Sequence, residues 1–467
     1  GSHMDRVKAL ARIDTYFQTG KFESDLNRRI AFKTESNLPN SVNALQSYLD
    51  KEIAPYLSAM GFSCTIYPNP ITDAGPFLLA HRIEGADLPT VMTYGHGDVV
   101  AGYDDQWENK MSPWNITKND NRWYGRGTAD NKGQHTINLA ALKTVLETRG
   151  HLGFNITVLI EMGEERGSPG LKEFCKLHKE LMKADVFIAS DGPRIQAEKP
   201  TIFMGSRGVF NFTLRLDVHS GGHHSGNWGG LLTNPGIVMA HALASMVDRN
   251  GKILVEGWRN MEMPNSVRDA ISKLKVGGNE DDPQINLNWG EPKMTPEERV
   301  FASNTFEIRA FETGNPKSPA NAIPPNAVAF GHLRYVVGTD VEKLMPLLRA
   351  HLDKNNFNDI SITKERDPML ATRLNPDHPW AAWIVKSLSK TTGKNIAVMP
   401  NLGGSLPNDV FASTLSLPTI WIPHSYAGCS QHAPNEHILE TVSRSALRMM
   451  TGLWWDLGAE DTPYRGR

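Results

Sequence analysis

Two adjacent acids, Glu164 and Glu165, are the residues whose type and position most directly suggest chemistry. They follow an apolar run over 154–160 that is typical of a buried strand, and glycine and proline lie close behind them. Neighbouring carboxylates repel each other, so a site must keep both ionised or give them different tasks. A metal ion does both, with one carboxylate as ligand and the other handling protons. The alternative is a solvated corner between a strand and a loop.

Further potential ligands lie at the ends of other predicted strands and in loops. Open α/β sheets place their sites beyond the carboxyl ends of the strands. The candidates are His96, Asp98, Asp130, Glu164, Glu165, Asp191 and His432. Two histidines with several carboxylates suit zinc or a similar divalent ion, and such mixed sets are typical of hydrolytic metals. Each residue alone has an ordinary structural explanation, such as a helix cap or a turn; their joint placement predicts a site.

The elements that must position these residues alternate between strand and helix. The region 5–60 has a helical pattern. Strands are predicted over 62–67, 76–81, 90–94, 154–160, 186–189 and 417–422, and helices over 133–148, 171–181 and 380–391. Such alternation predicts an α/β fold with a mostly parallel sheet.

The pattern changes near residue 206. Apolar and polar residues alternate over 209–218, as in an antiparallel strand with one exposed face. A helix over 235–247, a strand over 328–337 and a helix over 341–354 follow, whereas the long polar segment 251–313 fits no motif. We therefore expect a smaller α+β domain over 207–371, inserted between two segments of a catalytic domain, 5–206 and 372–467.

Size and composition narrow the functional classes. A chain of 467 residues is long enough for roughly two or three domains. A net charge of -2 gives no reason to expect nucleic acid or a membrane surface as partner, and no apolar run approaches the ~20 residues that cross a bilayer. The three cysteines are few and far apart, which predicts a reducing compartment and hence the cytoplasm.

Four smaller features have structural interpretations. Gly1-Ser2-His3-Met4 looks like a remnant of tag cleavage and is left out of the fold expectations. Cys429 is expected to be a buried or loop cysteine rather than a reactive thiol. Trp454-Trp455 predicts helix packing, and Glu280-Asp281-Asp282 predicts a solvated loop.

Five motifs together carry a family resemblance. They are Gly95-His96-Gly97-Asp98-Val99-Val100, Trp123-Tyr124-Gly125-Arg126-Gly127-Thr128-Ala129-Asp130-Asn131-Lys132-Gly133, Gly163-Glu164-Glu165, Ser190-Asp191 and Gln431-His432-Ala433-Pro434-Asn435-Glu436. In this order the chain resembles the M20 family of metallopeptidases, the group of carnosine-type dipeptidases, aminoacylases and N-acyl amino acid deacylases. The motifs cover almost the whole chain.

The resemblance implies two divalent metal ions, with zinc expected and manganese or cobalt as alternatives. His96 and Asp191 would hold one ion, and Glu165 and His432 the other. Asp130 would bridge the two ions, and the peptide bond that follows it is often cis in this family.

Two acids would act beside the ions. Asp98 would accept a hydrogen bond from His96 and fix its tautomer. Glu164 would be the general base, because two cations about 3.5 Å apart acidify a bridging water whose proton Glu164 could pass to the leaving amine.

The inserted domain is expected to serve as a lid or dimerisation domain. The stretch 223–230 resembles a carnosinase-type motif whose histidine reaches into the site, usually across a homodimer, and this role is assigned to His224. His219 is a rival because it also precedes Ser-Gly, and a plain polar loop with three histidines is the alternative. An oxyanion needs such a donor.

A second set of residues is predicted to bind substrate. Asn321 and Arg334 match positions that bind carboxylate or carbonyl groups in the family, and the Arg fork suits a carboxylate. The loop with Gly404 and Ser405 resembles one whose backbone amides approach the substrate. A solvated strand arginine and a simple turn are the alternatives. The stretch Leu402-Gly403-Gly404-Ser405 is not preceded by the acid that is common in dipeptidases, so the substrate class stays open.

The expected reaction is hydrolysis of an amide or peptide bond in a small substrate that carries a carboxylate, foremost a dipeptide. An N-acyl amino acid deacylase or amidase on the same fold is the first alternative. A non-catalytic binding protein is the second, although the predicted ligands and the base Glu164 are all present.

Overall fold

The computed structural model describes residues 2–279 and 282–463. Its helices are α1 (Ser2–Gln18), α2 (Lys21–Ile30), α3 (Val42–Ser47), α4 (Ala54–Ala59), α5 (Lys132–Arg149), α6 (Leu171–Leu177), α7 (Ser225–Trp228), α8 (Pro235–Met246), α9 (Asn265–Ser272), α10 (Pro296–Phe301), α11 (Leu344–Lys354), α12 (Pro379–Thr392) and α13 (Glu440–Ala459). Glu280 and Asp281 of the expected solvated loop lie outside the described residues.

The strands were assigned over the same residues. They are β1 (Ser63–Tyr67), β2 (Phe77–Arg82), β3 (Thr90–His96), β4 (Thr117–Asn119), β5 (Arg122–Tyr124), β6 (Asn155–Glu161), β7 (Val186–Ala189), β8 (Thr201–Phe203), β9 (Gly205–Ser206), β10 (Gly208–Asp217), β11 (His223–His224), β12 (Thr305–Thr313), β13 (Ala322–Ile323), β14 (Asn326–Tyr335), β15 (Ser361–Lys364), β16 (Thr372–Arg373), β17 (Ala397–Met399), β18 (Thr419–Trp421) and β19 (His437–Leu439).

An eight-stranded sheet confirms the predicted α/β class. Its strand order is β1-β2-β6-β3-β7-β18-β8-β17. The central run β6-β3-β7-β18 is parallel, as is the pair β8 and β17, whereas β1, β2 and β6 pair antiparallel and so do β18 and β8. β6 and β7 are buried along their whole length, which suits strands covered by helices on both faces.

Helices cover both faces of this sheet. Successive residues of a strand point to opposite faces, so each face packs in its own core. On one face, Ile156 and Val158 of β6 join a core shared with α1, α5, α12 and α13. On the other face, Leu159 packs with α6, α9 and α10. The first core includes both Trp454 and Trp455, which confirms their predicted packing role.

A separate four-stranded antiparallel sheet has the order β12-β14-β10-β15. β14 alternates between buried and half-buried residues, and its buried side packs against α8 and α11. The two-stranded pair of β9 and β16 lies where the chain passes into and out of this region. The division into domains at residues 206 and 372 stays a prediction.

Two expectations about helices were wrong. The helical region 5–60 is interrupted between α2 and α3, and the helix expected over 171–181 ends as α6 at Leu177 before a 3-10 turn. The polar segment 251–313 contains α9, α10 and β12. α9 and α10 share a core with residues of the large sheet.

Two further expectations concern cysteines and membranes. Cys64, Cys175 and Cys429 are all free, and burial raises the pKa of the Cys429 thiol to about 11, as befits a buried cysteine. Within the described residues, the helices are too short or too polar to cross a membrane.

Candidate metal centre

Neighbouring parallel strands bring most of the candidate ligands to one edge of the sheet. β3 ends at His96, Glu164 and Glu165 follow β6, and Asp191 follows β7. The order β6-β3-β7 makes these three strand ends adjacent. Carboxyl ends of parallel strands are where open α/β sheets build sites.

Asp130 lies between the two candidate histidines. It lies in the loop two residues before α5, and its Oδ1 is 3.0 Å from Nε2 of His96. Its other oxygen, Oδ2, is 2.9 Å from Nε2 of His432, a residue distant in sequence. The two oxygens of one carboxylate thus face two different histidines, which is the arrangement of a bridging ligand.

The remaining carboxylates divide between the two histidines. Oδ2 of Asp191 lies 3.5 Å and Oε2 of Glu164 lies 3.4 Å from Nε2 of His96. On the other side, Oε2 of Glu165 lies 2.9 Å from Nε2 of His432. One candidate donor atom from each of His96, Asp130, Glu164 and Glu165 falls within 4.8 Å of the others.

This donor set fits divalent cations. Tetrahedral zinc holds nitrogen and oxygen ligands at about 2.0–2.2 Å, which places the ligand atoms about 3.3–3.6 Å from each other. The observed separations of 2.9–3.5 Å lie at and just below that range. Because the donors are imidazoles and carboxylates without thiolates, the set suits a hydrolytic ion.

Charge crowding shows why the site needs cations. Burial, followed by the charge of Asp130, raises the pKa of Glu165 to about 11. Burial also raises the pKa of Glu164 well above its ordinary value, against the opposing pull of His96. Burial and mutual repulsion therefore favour the protonated form of these carboxyls, whereas a bound cation would favour the ionised form.

The pKa values of Asp130 and His96 shift in the directions that favour the charged forms. Burial raises the pKa of Asp130, but hydrogen bonds from His432 and His96 outweigh it and bring that pKa below its ordinary value. Burial lowers the pKa of His96, but the surrounding carboxylates, Glu164 first, raise it well above its ordinary value. The central pair thus has the character of an ion pair.

Asp98 ties the histidine to the acid pair. Its Oδ1 lies 3.3 Å and its main-chain oxygen 3.0 Å from Nδ1 of His96. The same side chain accepts the main-chain N–H groups of Glu164 and Glu165, at 3.1 and 3.0 Å. Ser36 donates its hydroxyl to Oδ2 of Asp98 at 2.6 Å. Asp98 therefore orients His96 and the acid pair together.

Glu436 holds the Asp130 loop against the His432 loop. Its Oε2 accepts the main-chain N–H groups of Ala129 and Asp130, both at 3.0 Å. Nη1 of Arg126 donates to Oε1 of Glu436 at 3.0 Å and to the carbonyl of Ala433 at 2.8 Å. Distant parts of the chain are thereby fixed beside each other.

The peptide bond between Asp130 and Asn131 is cis. The Asn131 side chain accepts the main-chain N–H of His96 at 3.1 Å and donates to the carbonyl of Ser190 at 2.8 Å. Sequence reasoning gave no role to Asn131, Arg126, Glu436 or Ser36. The first three lie inside recognised motifs, which was a usable signal, whereas nothing in the sequence around Ser36 points to the site.

The predicted substrate residues Arg334, Gly404 and Ser405 meet in one place. Nη1 of half-buried Arg334 donates to Oγ of Ser405 at 2.9 Å, and Oγ in turn donates to the carbonyl of Arg207 at 2.7 Å. Arg207 donates its Nε to the carbonyl of Gly403 at 2.8 Å. Two arginines thus hold the glycine loop beside the four-stranded sheet.

His224 and Asn321 are not brought to the metal cluster. Both are exposed; Nδ1 of His224 accepts the N–H of Gly226 at 3.1 Å, and the carbonyl of Asn321 accepts that of Ser225 at 3.0 Å. His219 contacts the carbonyl of Thr233 at 3.2 Å. Within the described ranges, no hydrogen bond or ion pair joins these three residues to the cluster.

Comparison with known proteins decides the family. The model of peptidase family M20/M25/M40 matches residues 92–456. The chain belongs to this family. All the candidate site residues lie within the matched range. This M20 chain is accordingly a metal-dependent peptide hydrolase.

Relatives of this M20 chain include named dipeptidases. It is 35% identical over 388 residues to the Beta-Ala-His dipeptidase of Homo sapiens, covering 78% of this chain and 74% of that protein. It is 26% identical over 373 residues to the cysteinylglycine-S-conjugate dipeptidase of Corynebacterium striatum, covering 76% and 78%. The crystal structure of human carnosine dipeptidase 1 has the same fold, with a TM-score of 0.81, 21% identity and coverage of 97% and 99%.

Proposed function

We propose that this M20 hydrolase is a dipeptidase that cleaves the amide bond of a small substrate with a free carboxylate. The observation that carries the proposal is the position of Asp130, whose two oxygens face His96 and His432 separately. The relatives named as dipeptidases favour a dipeptide over other small amides.

Two divalent ions are part of the proposal. His96 and Asp191 would hold one, Glu165 and His432 the other, and Asp130 would bridge them. Zinc suits this donor set, and manganese and cobalt are the alternatives. When bound, such a pair of ions acidifies a water and polarises the carbonyl under attack.

Glu164 is proposed as the proton carrier. Its carboxylate lies beside Nε2 of His96, and its main-chain N–H is anchored by Asp98. From there it would accept a proton from the attacking water and deliver it to the leaving amine. Asp98 would keep His96 in the correct tautomer and Glu164 in place.

Arg334 is proposed to bind the substrate carboxylate. Its guanidinium has a planar pair of donors, of which the Ser405 hydroxyl uses one in this structure. Gly404 and Ser405 would add donors from the loop. The residues 207–371 would thereby act as a lid domain that binds the substrate.

His224 and Asn321 are proposed to act across a homodimer. Their exposure and the lack of contacts to the cluster within the described part of the chain favour a role in a second subunit's site. There His224 would donate to the oxyanion. The three free cysteines favour the cytoplasm as the compartment.

An N-acyl amino acid deacylase is the second candidate, since the stretch Leu402-Gly403-Gly404-Ser405 is not preceded by the acid that is common in dipeptidases. A panel of dipeptides and N-acyl amino acids, assayed on zinc-, manganese- and cobalt-loaded protein, separates the two. We expect turnover that a chelator removes, and two metal ions per chain by elemental analysis. Glu164→Ala should show no turnover. Full activity of that variant, or fewer than one ion per chain, would refute the proposal.

A further inference from the structure

An apolar cavity of about 500 Å³ lies beside the predicted site. One wall comes from the polar segment that fitted no motif, and the opposite wall comes from the sheet and the glycine loop. The apolar side chains that line it include Ile195, Val276, Trp289, Val300, Phe301 and Leu402.

The cavity adjoins the site at two points. Pro193 lines it and is two residues beyond Asp191, so their Cα atoms are at most about 7.6 Å apart. Leu402 and Gly403 also line it, and Ser405, two residues further on, contacts Arg334. The same short loop therefore faces the cavity with one end and the predicted carboxylate site with the other.

The wall around Val300 is built rigidly. Arg299 donates its Nε to the carbonyl of Glu291 at 2.8 Å and its Nη1 to that of Leu287 at 2.7 Å. Thr295 starts α10 with a capping box. Asn401 donates to the carbonyl of Phe301 at 3.1 Å and so joins the wall to the loop.

The loop itself must approach this wall closely. A Cβ atom on Gly403 would lie 2.8 Å from Cγ2 of Val300, which is too close for a side chain. The part of the cavity between α10 and the glycine loop is therefore formed by the fold, because specific contacts hold both sides of it.

Its chemistry selects an uncharged occupant. Three charged residues line it, and each has a partner within the protein. Arg194 and Arg299 donate to main-chain carbonyls, and Asp282 accepts from Asn279, so the surface offered to a ligand is mainly apolar. A cavity of roughly 150 Å³ holds benzene, so this space accepts an aromatic ring or a branched alkyl group.

We infer that this cavity receives an apolar group on the acyl side of the scissile amide. The inference rests on the proposed function, in which Arg334 at the Ser405 end of the loop takes the carboxylate of the amine half. The Leu402 end then faces the acyl half. The substrate class is an amide with a large apolar acyl half, either an N-terminal leucine or phenylalanine or an apolar N-acyl chain.

The first test compares kcat/KM for Gly-Gly, Phe-Gly, Gly-Phe and N-phenylacetylglycine on the metal-loaded protein. We expect Phe-Gly or N-phenylacetylglycine to exceed Gly-Gly by at least about tenfold, with no such gain for Gly-Phe. The faster of the two identifies the source of the apolar group. A preference for Gly-Phe alone overturns the inference and leaves the proposed function standing.

The second test fills the cavity with Val300→Trp. The ratio of kcat/KM for the preferred apolar substrate to that for Gly-Gly should fall to about one. Val385→Trp is the matched control, since Val385 is also a half-buried helical valine, in a cavity that shares no lining residue with this one. It should keep the full ratio; an unchanged ratio in Val300→Trp overturns the inference.

A binding measurement tests the inference even if the protein cleaves none of these four substrates, a result that counts against the proposed function and not against the cavity. Calorimetric titration with phenylacetate and with acetate should show at least about tenfold tighter binding of phenylacetate, lost in Val300→Trp and kept in Val385→Trp. Equal affinity for the two acids in the unaltered protein overturns the inference.

Discussion

The two halves of the candidate metal centre are built differently. His96 is fully buried at the end of a central strand, and its ring and main chain are held by Asp98 and Asn131. The His432 side chain is 52% exposed and extends from a loop at a positive φ of 66°. The first half is fixed by the sheet, whereas the second depends on contacts between loops.

This difference predicts that the two halves bind metal with different affinities. Asp130, at the junction, is held because its own main-chain N–H and that of Ala129 both donate to Glu436, so its carboxylate is positioned to serve both halves. We expect the ion on the His96 side to be bound more tightly, because its ligands are preorganised and lose little freedom on binding. The ion on the His432 side should exchange more readily with solvent.

The largest expected effect comes from removing each histidine. His96→Ala and His432→Ala should both abolish turnover, but only His96→Ala should also destabilise the metal-free fold, by about 3 kcal/mol, because it leaves buried acids without their partner. His432→Ala should cost clearly less, because its ring is half-exposed and Asp130 keeps His96 as a partner. Urea unfolding with chelator measures both. Equal losses of stability would show that the halves do not differ.

The acid pair gives the next largest effect. Glu164→Gln should lower kcat by about 10²–10⁴-fold with metal content unchanged, since it removes a proton carrier. Glu165→Gln should instead lose the ion of the His432 half. Turnover assays and elemental analysis on the same preparations make the comparison. If Glu164→Gln loses metal and Glu165→Gln keeps it, their assigned roles are reversed.

The two halves also differ in how far the sequence predicted their surroundings. Glu164, Glu165 and His96 were found because they end or follow apolar strands, and a buried parallel strand is easily recognised by its continuous apolar run. The strands over 90–96 and 155–161 were predicted nearly to the residue. Local pattern therefore predicted the elements that carry the His96 half.

Long-range pairing was beyond the sequence. Ser36 reaches Asp98 across 62 positions, and Glu436 reaches Asp130 across 306. Such contacts depend on how loops meet after folding, and a single serine in a polar stretch carries no periodic signal. The segment 251–313 gave no pattern for the same reason, because α9, α10 and β12 are short or exposed and draw their order from tertiary packing.

A smaller effect is expected from the support of the His96 half. Asp98→Asn should weaken metal binding by about 10–100-fold, because the neutral amide orients His96 less firmly and fits the two main-chain N–H groups less well. Ser36→Ala, which removes only one hydrogen bond to the same carboxylate, should weaken it less. Competition with a chromophoric chelator measures both. If both variants lose the same metal affinity, the hydrogen bond from Ser36, and not the charge of Asp98, is what supports His96.

The last expected effect is a pH dependence of the metal-free protein, to which Glu164 and Glu165 contribute one carboxyl from each half. Both have a pKa raised in the folded state, so above the ordinary pKa of about 4.3 the folded chain binds more protons than the unfolded one. Stability contributed by these protons is present at low pH and is lost as pH rises towards about 11, the pKa of Glu165. The raised pKa of His96 acts in the same direction.

Urea unfolding of chelator-treated protein at pH 5.5, 7.0 and 8.5 should therefore show falling stability, and metal loading should flatten the trend because the cation replaces the protons. Glu165→Gln and Glu164→Gln should each make the slope shallower in the metal-free protein. Of the two variants, the one whose stability still falls more steeply with pH shows which half keeps its protonated carboxyl. Stability that is constant or rises with pH in the metal-free protein would mean that these carboxyls are already ionised, and that neighbouring positive charge other than a bound metal offsets their repulsion.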